Sequence, residues 1–309
     1  MDSAPRKRNW WNAYIKNWQL YLILVPTVVY FVVFRYLPMV GIQIAFRDYA
    51  PPLGYLGSPF VGLKHFTRFF NSYFLGRLIS NTLLLSFGML LFSFPIPIIL
   101  ALTLNEVRLR SVKKLAQTIT YAPHFLSTVV IVGLLGSLTN TRNGVLNLLL
   151  VNAGIISEPI AFMSQAQWFR PLYIFSGIWQ ESGWNAVIYM AALSAVDVQL
   201  YEAARVDGAG RLRSIWHITI PSILPTMITL LILNSGKVMN IGYEKVLLMQ
   251  NPLNMASSDV ITTYVYQTGL LKGQFSYATA VGLFNSVVNT LLIVCVNFIS
   301  RRLSDTSLW

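Results

Sequence analysis

The chain has 309 residues, 55% of them hydrophobic and only 11% charged, with a formal net charge of +12. Soluble domains carry roughly 25% charged residues, so the composition excludes an ordinary soluble fold and fits one polytopic membrane unit. The basic residues are scattered in short segments between apolar runs, which suits membrane orientation and excludes nucleic acid as a partner.

The N-terminal Arg6-Lys7-Arg8 followed by an apolar run from Leu20 imitates a secretory signal. The run continues to Leu37 without a small-x-small cleavage site, so it reads as a retained first span over residues 20–37. Residues 1–19 form a basic arm on its cytoplasmic side. A long segment, 38–77, follows and is rich in turn residues: Pro51-Pro52, Gly54, Gly57-Ser58-Pro59 and Gly62. It predicts an ordered extracytoplasmic cap.

Further apolar windows near the crossing length of ~20 residues predict spans over 78–104, 119–138, 171–196, 220–233 and 280–299. Pro95 and Pro97 predict a bend or unwinding in the second. The fifth is cut short by Asn234-Ser235-Gly236-Lys237. Arg108, Arg110, Lys113 and Lys114 follow the second span, Arg205, Arg211 and Arg213 follow the fourth, and Arg301 and Arg302 close the sixth. Their density places these loops, the arm and the 301–309 tail in the cytoplasm. Tyr264, Tyr266 and Tyr277 are expected at the outer interface as aromatic-belt residues. Cys295 is the only cysteine, so no intrachain disulfide is possible. His65, His124 and His217 show no ligand spacing, and no metal site is expected.

Polar groups inside the spans are few, and each is costly at that depth. In the fourth span Trp179, Glu181, Trp184 and Asn185 cluster, with Glu181 and Asn185 one helical turn apart on one face. Aromatic rings beside hydrogen-bonding groups suit sugars, whose C–H faces stack while hydroxyls seek partners. A polar interhelical clamp that holds two subunits together explains the same residues equally well, and both readings stand. Asn285 and Asn289 repeat the spacing in the sixth span, where structural hydrogen bonding is favoured over ligand contact.

Between the fourth and fifth spans runs Tyr201-Glu202-Ala203-Ala204-Arg205-Val206-Asp207-Gly208-Ala209-Gly210, continuing to Ile218, Pro221 and Pro225. Asp197 is placed to N-cap a short helix, and Gly208 to end it in the left-handed conformation. Ala203 and Ala204 keep that helix low in profile, open to another protein's backbone. Pro221 fits the first turn of the next helix. There is no Gly-x-x-x-x-Gly-Lys-Ser/Thr loop for nucleotide phosphates, and no Ser/His/Asp, Cys/His or paired-carboxylate set.

With Glu202, Ala203, Ala204, Gly208, Ile218 and Pro221 in register, this segment (197–221) resembles the EAA loop of binding-protein-dependent ABC importer permeases, with Ile220 where leucine is usual. Phe60-Val61-Gly62-Leu63-Lys64-His65-Phe66, Tyr121-Ala122-Pro123-His124-Phe125, Trp179-Gln180 and Ser307-Leu308-Trp309 resemble the polysaccharide and oligosaccharide branch. The resemblance implies an all-α permease domain over 20–300, about six spans in a bacterial cell membrane, and a cytoplasmic coupling helix between spans four and five. It implies a second related permease, two cytoplasmic ATPases that hold ATP and magnesium, an extracellular solute-binding protein, and carbohydrate as solute. Glu202, Ala203, Ala204 and Gly208 then shape the coupling helix, with Arg205 and Asp207 offering polar contacts to the ATPase. A secondary transporter using Glu181 for a proton or ion is the alternative, and a membrane-embedded enzyme a third class; neither explains the EAA loop.

Overall fold

A computed structural model describes residues 17–236 and 241–303. The basic residues Arg6, Lys7, Arg8 and Lys16, together with Lys237 and the tail Ser307-Leu308-Trp309, lie outside them. Among the described residues the chain is all helical, apart from one isolated antiparallel bridge between Arg47 and Phe60. Four helices are long and apolar enough to cross a membrane: Trp18–Phe46, Leu75–Glu106, Arg211–Ser235 and Phe275–Arg302. Two bent pairs bring the number to six: Arg110–Phe125 with Thr128–Leu138, and Ala166–Ser194 with Val198–Val206. Helices are the expected solution, because backbone groups find no other partners in lipid.

The boundaries differ from the sequence pattern in instructive ways. The first span overruns its apolar window through a π-helical turn at Val32–Tyr36 and a 3-10 stretch at Leu37–Phe46. The fifth starts at Arg211, well before Pro221, and widens into a π turn at Ile215–Thr219. In both cases a proline follows at once, Pro38 or Pro221. The proline ring collides with the carbonyl four residues back and offers no N–H, and a widened turn absorbs both defects. Pro221 sits in the first turn of the α-helix Ile220–Ser235, as expected, while the π turn before it extends the span back to Arg211. The pair Pro95 and Pro97 does less than expected: helical bonding is interrupted at Phe94, but Leu75–Glu106 runs on as one span.

The third span departs most from a simple crossing. Arg110–Phe125 and Thr128–Leu138 meet at 103°. Pro123 sits in a 3-10 turn, Ala122–Phe125, and the Ser127 hydroxyl accepts from the Val130 amide to start the second helix. Residues 119–138 are thus two helices around a corner, not one straight rod.

Three buried clusters hold the spans together. Leu85, Val132, Phe169, Tyr173, Val246 and Met249 join spans two, three and four to the segment after span five. Phe69, Leu78, Ile261 and Tyr277 form the second, and Ile98, Ala101, Ala186, Tyr189, Leu193 and Ile223 the third. Tyr277 is therefore a core residue rather than a belt residue, its hydroxyl 3.2 Å from that of Tyr264. Tyr266 stacks on Tyr243. Polar ties add to this packing. Arg77 donates to Asp259 at 2.7 Å, Asn81 donates to the carbonyls of Ala256 and Asp259, and Arg170 donates to Asn81. These bonds pin residues 256–259 across spans two and four.

The segment after the first span is ordered, as its turn residues predict. Asp48 donates its amide to Pro59 and Val61 to Phe46, while Arg47 reaches the Ser58 carbonyl at 2.7 Å. The Asp48 carboxylate meets Lys64 at 2.6 Å and His65 at 3.1 Å. The hydrogen bond from Lys64, with its charge, holds Asp48 below the ordinary carboxylate range. A depressed folded pKa contributes stability that is complete above the unfolded value, about 3.9, and is lost as pH falls through the folded one. Hydrogen-exchange protection of the Asp48 and Val61 amides is therefore expected to fall below about pH 4. Asp48→Asn should remove that pH dependence; a wild-type protection profile that stays flat into acid would contradict the assignment.

Candidate functional site

Span four, Ala166–Ser194, is the longest uninterrupted helix up to that point, and two features of interest lie along it. Gly183 faces the Thr120–Tyr121 backbone so closely that a Cβ there would overlap the Thr120 carbonyl. Small residues let membrane helices approach backbone to backbone, where dispersion replaces the hydrophobic drive that lipid cannot supply. Two and three residues before this contact and one after it, side chains reach across the same joint. Glu181 Oε2 stands 2.9 Å from His124 Nδ1, Trp184 stacks parallel on the His124 ring at 4.7 Å, and Phe125 meets Trp184 edge-on. Gln180 donates to the Leu126 carbonyl. The corner of span three is thus clamped onto span four.

Behind this joint lies a cavity of about 670 Å³, within the range of small-molecule sites. Glu181, Asn185 and Ile188 share one wall, and Ser86, Met89, Tyr173, Tyr189 and Asn234 supply others. Glu181 therefore faces two ways: one oxygen bonds His124, and the side chain also borders the cavity. The clamp observed here joins two spans of one chain. Met190, two residues past Ile188, packs instead with the Ile98–Ile223 cluster.

The other sequence-predicted residues are placed elsewhere. Trp179 lines an apolar groove with Ile131, Leu134 and Phe175, on another face of span four. Asn285 and Asn289 are buried in span six, and Asn285 borders a separate, mostly apolar groove beside Met39 and Ile42. Glu181 and Asn185 come together; Trp179 and the asparagine pair do not join them. His124 is the residue the sequence argument undervalued. A titratable ring inside an apolar window, next to a proline, carries the same signal of intramembrane cost as Glu181. No group of three or more His, Cys, Asp or Glu able to hold a metal occurs among the described residues.

At the far end of span four the chain turns 69° into the short helix Val198–Val206. Asp197 Oδ1 accepts the Gln199 amide at 2.9 Å, capping its start. Gly208 adopts φ +74°, and the Ala209 amide returns to Ala204 O while that of Gly208 returns to Arg205 O. Only glycine takes that conformation without strain, and these bonds satisfy the last carbonyls. The helix has no residue buried within the chain: Glu202, Ala203, Arg205, Asp207 and Gly208 are exposed and Ala204 is half-buried. The Tyr201 hydroxyl, 3.0 Å from Thr219 Oγ1, ties it to the π turn of span five.

A crossed set of helices, a mid-span cavity with a few polar groups on largely apolar walls and a protruding capped helix fit a membrane transport subunit. Residues 93–305 match the family described as binding-protein-dependent transport system inner membrane component. The chain is 47% identical over 295 residues to the polygalacturonan/rhamnogalacturonan transport system permease protein YteP of Bacillus subtilis (strain 168), covering 96% of this chain and 91% of that one. It is 44% identical over 320 residues to protein LplB of the same strain, covering all of both. Among solved structures it superposes on a chain of the bacterial alginate ABC transporter in complex with alginate pentasaccharide-bound periplasmic protein. That match has a TM-score of 0.88 and 40% identity, covering 96% of this chain and 99% of the other. The chain belongs to the binding-protein-dependent transport system inner membrane components, and is a permease subunit of an ATP-binding-cassette importer. A secondary transporter working through Glu181 is not favoured.

The close joint yields a direct expectation. Gly183→Ala should lower the thermal stability of the purified protein by about 1–3 kcal/mol, because the Thr120 backbone must move. Gly133→Ala, in a helix with open space around the glycine, should be neutral. Equal melting of the two variants would contradict the contact.

Proposed function

We propose that the chain forms half of a translocation pathway for a carbohydrate, an oligosaccharide in particular, and is driven by separate ATPase subunits through the helix Val198–Val206. The observation that carries the coupling is that helix: capped at both ends, low in profile at Ala203 and Ala204, and with no residue buried in the chain alone. Glu202, Ala203, Ala204 and Gly208 give it shape, and Arg205 and Asp207 offer charge to a docking cleft. Support for the solute comes from relatives named for polygalacturonan and rhamnogalacturonan and for the polysaccharide alginate. Hydroxyl and amide groups on the cavity wall suit the same chemistry.

In this reading a second homologous permease completes the pathway, two cytoplasmic ATPases hold ATP and magnesium, and an extracellular solute-binding protein delivers the solute. The chain itself is non-catalytic and binds no cofactor. It resides in a bacterial cytoplasmic membrane with both termini and the coupling helix on the cytoplasmic side, the orientation set by Arg108, Arg110, Lys113 and Lys114 and by Arg205, Arg211 and Arg213.

Gly208→Val forces a β-branched residue into a left-handed position. Membrane insertion should persist while solute uptake and cross-linking to the ATPase are lost. Unchanged uptake together with unchanged cross-linking would overturn the coupling role.

The pathway role of Glu181 and Asn185 has its own test. With Cys295 replaced by serine, single cysteines at positions 181, 185 and 188 should react with a permeant, water-requiring thiol reagent, and transported solute should protect them. A cysteine at 190 should stay unreactive. If 181 and 185 are inert in every transport state and Glu181→Gln still imports, the pair only fastens helices.

A further inference from the structure

One buried cation takes no part in the joint or the coupling helix. Lys245 lies on the short helix Tyr243–Met249 and is only 8% exposed. Its Nζ donates to the Tyr173 carbonyl at 3.3 Å and rests 5.0 Å from the centroid of the Tyr173 ring. These contacts place it against the part of span four remote from the coupling helix. An ammonium group has three donors and, at such a place, needs an anion or several strong acceptors. Among the described residues the ion pairs are Lys64 and His65 with Asp48, Arg77 with Asp259, and His124 with Glu181; none includes Lys245. Glu181, one helical turn from Gly177, is the carboxylate that acts on Lys245 through space, but its hydrogen bond goes to His124.

The wall between Lys245 and the cavity is thin. Gly177 has no side chain, and a Cβ placed there would stand 2.6 Å from Met89 Cε and 3.4 Å from Lys245 Nζ. Met89 and Tyr173 both line the cavity. Met89 and the Tyr173 ring thus stand between the ammonium and the solute space, with no side chain at Gly177, and a thioether moves at little cost.

We infer that Lys245 is a specificity-determining residue that receives a carboxylate of the passing solute, so that the carbohydrate is an acidic one built of hexuronate units. The inference rests on the carbohydrate reading above; relatives named for polygalacturonan and for the acidic polysaccharide alginate share the charge class, and what is added is the residue that reads it. Because His124 occupies Glu181, the nearest negative charge is engaged elsewhere, and a uronate supplies the missing counter-ion. Gly177 is what lets it come close. A neutral sugar leaves the ammonium with its single carbonyl partner.

The test uses the complete importer with its binding protein in proteoliposomes, and two probes: trigalacturonate and its methyl ester. The quantity read is the ratio of the two uptake rates, which cancels the binding protein's own preference when variants are compared. K245M should lower the acid-to-ester ratio roughly tenfold or more, the loss expected for a charge-assisted hydrogen bond. K245R should keep the ratio near wild type, and ester-stimulated ATP hydrolysis should be unaffected in both. K245Q serves as the neutral variant if K245M does not assemble. An unchanged ratio, or equal loss of both probes, overturns the assignment while leaving the importer intact. Wild-type vesicles that import neither probe overturn this inference, and the carbohydrate reading falls with it only if neutral oligosaccharides are refused as well.

Discussion

The arrangement depends on one close contact: the backbone of Thr120 and Tyr121 lying directly on span four at Gly183. Nothing with a side chain fits there. Once the two backbones touch, Glu181 and Gln180 on one side and Trp184 on the other are within reach of His124, Phe125 and Leu126. A carboxylate and an imidazole, each costly alone at membrane depth, satisfy one another. The corner of span three is thereby fastened to span four, which runs without a break through the cavity wall to Ser194, just before the bend into the helix Val198–Val206.

The irregular turns follow from the same constraint that makes the rest helical. Lipid offers no hydrogen bonds, so every proline in a span leaves a carbonyl to be satisfied locally. At Pro38 and Pro221 a π turn does this. At Pro123 the chain instead leaves the helix through a 3-10 turn, and Ser127 caps the next helix. That corner is stable because span four supplies the partners that the broken helix lacks.

Much of this was legible from local chemistry. Hydropathy located the four crossing helices and the two bent pairs, Asp197 capped where its side chain and following helix formers required, and Gly208 ended the helix with positive φ. Glu181 and Asn185 met on one cavity wall because a turn of helix is a fixed distance. What local rules did not reach were contacts between segments distant in sequence. The partner of Glu181 is 57 residues away, and those of Asn81 lie 89, 175 and 178 residues away. Pro123 marked a break but carried no information on its direction, since the 103° corner is set by packing on span four. Arg211 and Arg213 concealed the start of span five, because charge at a helix end looks like loop in a hydropathy window. Tyr277 read as a belt residue by type, yet Phe69 and Arg68 surround it in the core.

The claim that the corner of span three and span four move as one body can be tested by fixing them together. With Cys295 replaced by serine, cysteines at Phe125 and Trp184, whose rings lie 5.7 Å apart, can be joined by a short bifunctional thiol reagent in the assembled importer. The account predicts that the bridge forms in every nucleotide state and that uptake by the bridged protein equals that of the same variant left unbridged. Uptake that stops on bridging and returns on reduction would show that the two segments separate during transport, and would contradict it.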